Sequence, residues 1–175
     1  LDSPSNKSHQ TEIDISNSES WRKFEAELES AATEDGGLAI EFNGTGTLCV
    51  DFVQLIPQSS YGYGNSKWKY TTLRSDLVNA LKELNPAFIR FPGGCFCEGD
   101  SLDNLYNWKD TIGPLESRRQ GCNIWRNDEA GDCYINSNSL GYGEYFNLCS
   151  DLGAEPVPCL SAGITCQGRN GYDIN

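Results

Sequence analysis

Two thiols and a carboxyl group, Cys95, Cys97 and Glu98, follow directly on the run Phe88-Ile89-Arg90-Phe91-Pro92-Gly93-Gly94. A thiolate can attack an electrophilic carbon and a carboxyl group can move a proton, so chemistry is sought here first. A nucleophilic cysteine needs a base beside it, most often a histidine. The chain holds a single histidine, His9, in a polar leader away from this run. Cys95 and Cys97 therefore read as wall or contact residues; lying two apart, they would share a face of an extended segment. Glu98, with Asp100 and Asp103 close behind it, could form a carboxylate pair for acid/base work, although acidic residues in a glycine-rich loop are ordinarily solvated. Gly93-Gly94 serves either to turn the chain at a strand end or to let a ligand approach the backbone.

Other residues bear on the same question. Arg90 interrupts an apolar stretch, where a guanidinium needs a carboxylate partner, so it is read as scaffolding of a site. Trp108 and Trp125 either pack a long loop down or offer flat apolar faces, which suit the C–H side of a sugar ring. The eight cysteines (49, 95, 97, 122, 133, 149, 159 and 166) contain no Cys-x-x-Cys pair. No structural zinc site is expected from their spacing. Cys49, Cys149 and Cys159 fall in apolar patterns and read as small core residues. Cys122 and Cys133, in a polar stretch, are the expected bridge in an oxidising compartment.

The elements that must position these residues follow two regimes. Over residues 11–57 the apolar pattern has period two: Phe24, Ala26 and Leu28 alternate with glutamates, and Leu48, Val50 and Phe52 alternate with Cys49 and Asp51. This predicts three or four half-buried antiparallel strands, the closing part of a β-sandwich assigned to residues 1–57. Residues 58–70, rich in Ser, Gly and Tyr, read as a linker. From residue 71 the period becomes helical: Leu73, Leu77, Leu81 and Leu84 recur at helix spacing, with Thr71 or Thr72 as cap and Asn85-Pro86 as stop. A strand over residues 87–91 comes next. The same order recurs with a helix over residues 142–152, Gly153, and a strand over residues 156–160.

Helix, short turn and strand in repetition are the grammar of a parallel α/β sheet or barrel. The strand-to-helix connection is much longer, about fifty residues, where loops beyond about 12–15 are usually functional or disordered. It carries Trp108, Trp125 and Tyr134, and it lies where α/β folds place their sites, after the carboxyl end of a parallel strand.

Composition narrows the partners. A net charge of −12 and a pI near 4.4 oppose binding to nucleic acid, which requires lysine and arginine against phosphate, and to an anionic membrane surface. No run approaches the ~20 apolar residues of a membrane-spanning helix. The absence of methionine is expected of a processed, trimmed or fragmentary product. The acceptors Asn6-Lys7-Ser8 and Asn43-Gly44-Thr45 fit an extracellular setting.

The segment Leu73-Arg74-x-Asp76-Leu77-Val78-x-Ala80-Leu81-Lys82-x-Leu84-x-Pro86-x-Phe88-Ile89-Arg90-Phe91-Pro92-Gly93-Gly94-Cys95 resembles the opening barrel region of α-L-arabinofuranosidases of glycoside hydrolase family 51. Trp108-Lys109-Asp110-x-Ile112-Gly113-Pro114, Gly143-Glu144-Tyr145 and Leu152-Gly153-Ala154-Glu155-Pro156-Val157 are similar to further blocks of that family in the same order. The segment from Gly46 to Pro57 is similar to the last strands of the carbohydrate-binding-like sandwich that precedes the barrel in its fungal and plant-like branch.

The resemblance implies a (β/α)8 (TIM) barrel, of which residues 71–175 would be the first, incomplete part. It implies release of terminal α-L-arabinofuranosyl groups from arabinose-containing polysaccharide or oligosaccharide by a retaining pair of glutamates. No cofactor and no metal is implied. The family's acid/base glutamate sits in an Asn-Glu motif, and no Asn-Glu occurs here; both glutamates are expected outside this chain, in the remainder of the same precursor. Two residues carry over as substrate contacts, Cys95 in the wall of the arabinose pocket and Trp125 in the bordering loop. Ser161-Ala162-Gly163 matches a pocket-flanking turn, with Ala162 where the family often has Asn. A family-related endoglucanase and a non-catalytic carbohydrate-binding protein are the alternative readings.

Overall fold

A computed structural model describes residues 10–16, 19–30, 37–125 and 134–168. The chain divides into two compact units, Leu1–Cys49 and Val50–Asn175. The division falls earlier than the boundary expected after residue 57.

In the first unit, and as far as residue 57, the described residues form no helix or strand. Phe24, Leu28, Leu38, Ile40 and Phe42 are exposed, and so are Val50, Val53 and Leu55. The antiparallel strands expected over residues 11–57 are thus absent among the described residues. An alternating pattern marks which face of a strand is apolar, but the ladder has to be supplied by a neighbouring strand, and none pairs here.

The second unit is a mixed α/β structure. Helix α1 spans Ser75–Leu84, strand β1 Phe88–Phe91 and the short helix α2 Gly94–Glu98. A two-residue antiparallel pair follows, β2 (Gly121–Cys122) with β3 (Ile135–Asn136). Helix α3 (Tyr142–Leu152) then leads to strand β4 (Glu155–Pro158). β1 and β4 pair in parallel, from Phe88 against Glu155 to Phe91 against Pro158. Beyond the strand ends the pairing continues through Glu155 N–H to Ala87 O (2.9 Å) and Cys159 N–H to Phe91 O (2.7 Å).

Helix α1 forms where expected, with a different cap and a different inner face. It starts at Ser75, whose hydroxyl donates to Ser59 O, rather than at Thr71 or Thr72. Val78 is its buried residue, backed by Leu73 and Leu81, while Leu77 and Leu84 are exposed. The helix ends where Asn85 turns left-handed at φ 46° and donates its N–H to Lys82 O, and Pro86 cannot continue it. In α3 the buried side comprises Tyr142, Glu144, Tyr145, Leu148 and Cys149, with Phe146 exposed. Tyr142, Tyr145 and Cys149 pack on Ile89, Phe91 and Tyr106, and Tyr145 donates its hydroxyl to Ile89 O (2.7 Å). Gly153, at φ 69°, closes the helix.

Residues 58–70 are not a spacer. Tyr61 exchanges both backbone hydrogen bonds with Leu73, and Trp68 is 4% exposed against Val78 and Leu148. The reason is one carboxylate on α3. Asp151 accepts from Tyr61 Oη (2.8 Å) and Trp68 Nε1 (3.0 Å) and pairs with Lys67 Nζ. A polar, glycine-rich composition gave no sign of this anchor.

Burial opposes the charged form of Asp151, but the hydrogen bonds from Lys67, Tyr61 and Trp68 outweigh it and hold its pKa below the ordinary carboxylate value. A depressed folded pKa contributes stability above the unfolded value of about 3.9 and loses it as pH falls through the folded value. Asp151→Asn should therefore destabilise the protein by about 1–3 kcal/mol at neutral pH. In urea unfolding curves the gap between the two proteins should close as the pH is taken below the carboxylate range. A gap that stays constant into acid would contradict this account.

Candidate functional site

The candidate site grows from the end of β1. After Pro92 the backbone turns through Gly93 at φ 81° and Gly94 at φ 53°. The positive φ of Gly93 is what calls for glycine; a Cβ there would also stand 2.8 Å from the Arg90 guanidinium, the flexible end of an exposed side chain that can move aside. Arg90 itself is exposed, its guanidinium laid against this turn; the expected buried setting is not found. In a strand the residues alternate in burial, and Ile89 and Phe91 take the inner positions of β1.

The segment that follows is helical, and this overturns the expected pairing of Cys95 with Cys97. Residues two apart on a helix point to opposite sides, whereas residues three apart are neighbours. Cys97 is buried, its Sγ 3.3 Å from Cys159 O. Burial first, then the Cys159 thiol and Glu98, push its pKa up, with Arg90 acting the other way. A thiol held protonated is a poor nucleophile. Cys95 and Glu98, both half-buried, share the other side.

A third group completes that cluster. Cys166, 1% exposed, lies in a 3₁₀ turn (Cys166–Gly168) and donates its N–H to Gly99 O at the end of α2 (2.7 Å). The donor atoms of Cys95, Glu98 and Cys166 all lie within 4.8 Å of one another. These residues could hold a cation; nothing in their sequence spacing announces it, since Cys166 arrives through the parallel pairing of β1 with β4.

The remaining acidic residues are accounted for locally. Asp100 accepts from Asn104 Nδ2, and Asn104 Oδ1 in turn accepts from the N–H groups of Asp100 and Ser101. The Asp103 side chain is 97% exposed.

Trp125 is 59% exposed at the end of the described part of the loop, and its N–H is bonded to Asn123 Oδ1 (2.8 Å). No hydrogen bond or ring contact joins it to Cys95 among the described residues. Trp108, 41% exposed, begins a 3₁₀ turn (Trp108–Thr111). Cys122 is disulfide-bonded; Cys133, its expected partner, lies outside the described residues. Ala162 is exposed, and Gly163 N–H is bonded to Ser161 Oγ (3.1 Å).

Sequence reasoning missed Arg118. Its guanidinium makes a bidentate pair with Glu144 (2.7 and 2.9 Å), with side chains 1% and 6% exposed. It also donates to the carbonyls of Gly113, Asn138 and Ser139. Glu144 Oε2 accepts the Gly141 N–H (3.0 Å), closing the first turn of α3. Gly141 is needed because a Cβ would collide with Thr111 O at 1.8 Å. Thr111, fully buried, accepts from Tyr142 N–H (3.2 Å). Both stretches of the long connection are thus tied to the start of α3. An arginine in a polar loop looks solvated; the one available signal was Glu144 at the third position of a helix, where a carboxylate caps.

A parallel strand pair, a helix packed on it and a glycine turn leading to a half-buried thiol cluster place this unit in the α/β class with its candidate site at a strand end. Residues 80–174 match the domain model described as Alpha-L-arabinofuranosidase 1 domain, and the chain belongs to that family. It is 35% identical over 162 residues to an extracellular exo-α-L-arabinofuranosidase of Streptomyces chartreusis, covering 86% of this chain and 18% of that protein. It is 37% identical over 150 residues to α-L-arabinofuranosidase 2 of Arabidopsis thaliana, covering 83% and 20%. The arabinose-bound MgGH51 α-L-arabinofuranosidase is similar in structure at a TM-score of 0.50 and 33% identity, over 58% of this chain and 15% of that one. The chain spans about a fifth of the length of the curated relatives it matches.

Removing one member of a buried ion pair leaves the other uncompensated, a loss of about 3–5 kcal/mol. Arg118→Met and Glu144→Leu should each destabilise the protein by that order. The double variant should lose clearly less than the sum of the two, in denaturant unfolding of all four proteins. Additive losses would mean that the pair does not act as a unit.

Proposed function

We propose that this chain contributes part of the active-site wall of a glycosidase that releases terminal α-L-arabinofuranosyl groups from arabinose-containing hemicellulose. The observation that carries the reading is the family match over residues 80–174, which includes the strand end, the glycine turn and Cys95. On this reading residues 71–175 are the first part of a (β/α)8 barrel, with β1 and β4 as neighbouring barrel strands. Residues 1–57 belong on the same reading to a carbohydrate-binding-like sandwich.

The chemistry is that of a retaining glycosidase. One glutamate attacks the anomeric carbon while a second protonates the leaving oxygen, their carboxyl groups about 5–5.5 Å apart. Neither is contributed by this chain. Its own part is to shape the pocket: the turn at Gly93-Gly94 lets the sugar approach the backbone, Cys95 lines the wall, and Trp125 offers an aromatic face to the apolar side of the ring. The reaction calls for no redox cofactor. An extracellular setting is supported by the Streptomyces chartreusis relative, which is named extracellular.

The full-length protein should hydrolyse an aryl α-L-arabinofuranoside. Trp125→Ala should raise KM about 2- to 10-fold, the worth of one aromatic stacking contact, with a smaller change in kcat. Cleavage of β-1,4-glucan without release of arabinose would replace this reading with an endoglucanase. Binding of arabino-oligosaccharide without turnover would replace it with a carbohydrate-binding protein.

A further inference from the structure

We propose that Cys95, Glu98 and Cys166 form a binding site for a thiophilic divalent cation of the zinc type. The inference goes beyond the glycosidase reading and does not depend on it.

Three features of the cluster point to a cation. The donor set is right: thiolate sulfur and carboxylate oxygen are the ligands zinc takes, at about 2.3 Å and about 2.0–2.2 Å. The spacing is close to what such an ion needs. Two sulfurs bound tetrahedrally to one zinc lie about 3.8 Å apart, and the three donor atoms here already lie within 4.8 Å of one another. The remaining gap of about 1 Å is within what side-chain rotation can close.

The placement is also held by the fold. Cys95 and Glu98 are three apart on α2 and so project to one side. Cys166 is 1% exposed and fixed to the end of α2 through its N–H bond to Gly99 O. Gly99, at φ 67°, ends the helix and turns the chain away beneath that bond. The site therefore joins α2 to the segment after β4, the two strand ends that flank the proposed pocket. Three protein ligands leave a fourth position for water or a substrate oxygen. On binding, the two thiols give up their protons to solvent and the ion takes two thiolates and one carboxylate.

The test is metal binding by the full-length protein, purified with reductant and stripped of metal. One equivalent of Zn2+ should be retained per chain through exhaustive dialysis, and Co2+ in its place should give the ultraviolet thiolate-to-cobalt charge-transfer band. Cys166→Ser and Glu98→Gln should each weaken Zn2+ binding by at least about tenfold, since loss of an outer-shell partner alone costs that much. Cys49→Ser, at an exposed cysteine in the other unit, should leave binding unchanged. Zinc should also protect Cys95 from alkylation. Glu98→Gln alters a half-buried side chain of unchanged shape, so it remains informative should Cys166→Ser fail to fold. Unaltered binding and charge transfer in Glu98→Gln, no retained zinc in the wild type, or a Cys95–Cys166 disulfide that excludes metal would each overturn the proposal. None of these readouts requires sugar hydrolysis.

Discussion

The buried pair Arg118–Glu144 is the constraint on which the second unit depends. Two opposite charges withdrawn from water are tolerated only with nearly complete hydrogen bonding, and that requirement is met by the backbone of the long connection. Arg118 gathers the carbonyls of Gly113, Asn138 and Ser139, and Glu144 takes the free N–H at the start of α3. A connection of such length would otherwise carry a large conformational entropy, and the pair adds to the apolar anchoring that Tyr106, Leu115 and Ile124 supply.

The same economy of polar anchors recurs at the other end of α3. Asp151 collects Tyr61, Trp68 and Lys67 and so draws residues 58–70 onto the helix. Between these anchors the helix lays tyrosines on β1. Burial pushes the pKa of Tyr142 and Tyr145 up to about 12, so both stay neutral donors, to Cys159 O and Ile89 O. The two parallel strands are thereby held in register, and their carboxyl ends bring α2 and Cys166 together. Geometry at the strand ends follows from electrostatics around one helix.

How much of this was legible in the sequence differs by element. The order α3, Gly153, β4 was readable because a left-handed glycine cap and a change from helical to extended pattern are local signals. Helix α1 was readable in its stop at Asn85-Pro86 but not in its start or its face, because Val78 and the leucines around it are all apolar and only packing decides which turns inward. The five residues of α2 are too few to show a period, so Cys95 and Cys97 were assigned to one face when the helix separates them. The strands expected over residues 11–57 rest on alternation alone, and alternation does not supply a pairing partner. Arg118, Trp68 and Cys166 acquire their roles through contacts distant in sequence. The family could be read from the spaced blocks around Pro92-Gly93-Gly94-Cys95, which stand as a pattern whether or not their local structure is known.

The most direct test of the central claim is hydrogen exchange of the backbone amides in the full-length protein and its Glu144→Gln variant. The pairing account predicts the largest rise in exchange at residues 113–123, residues 134–141 and the first turn of α3, above the smaller common rise that lower global stability imposes on the amides of α1 and β1. Unchanged exchange in that connection, or a rise there no greater than the rise in α1 and β1, would contradict the account.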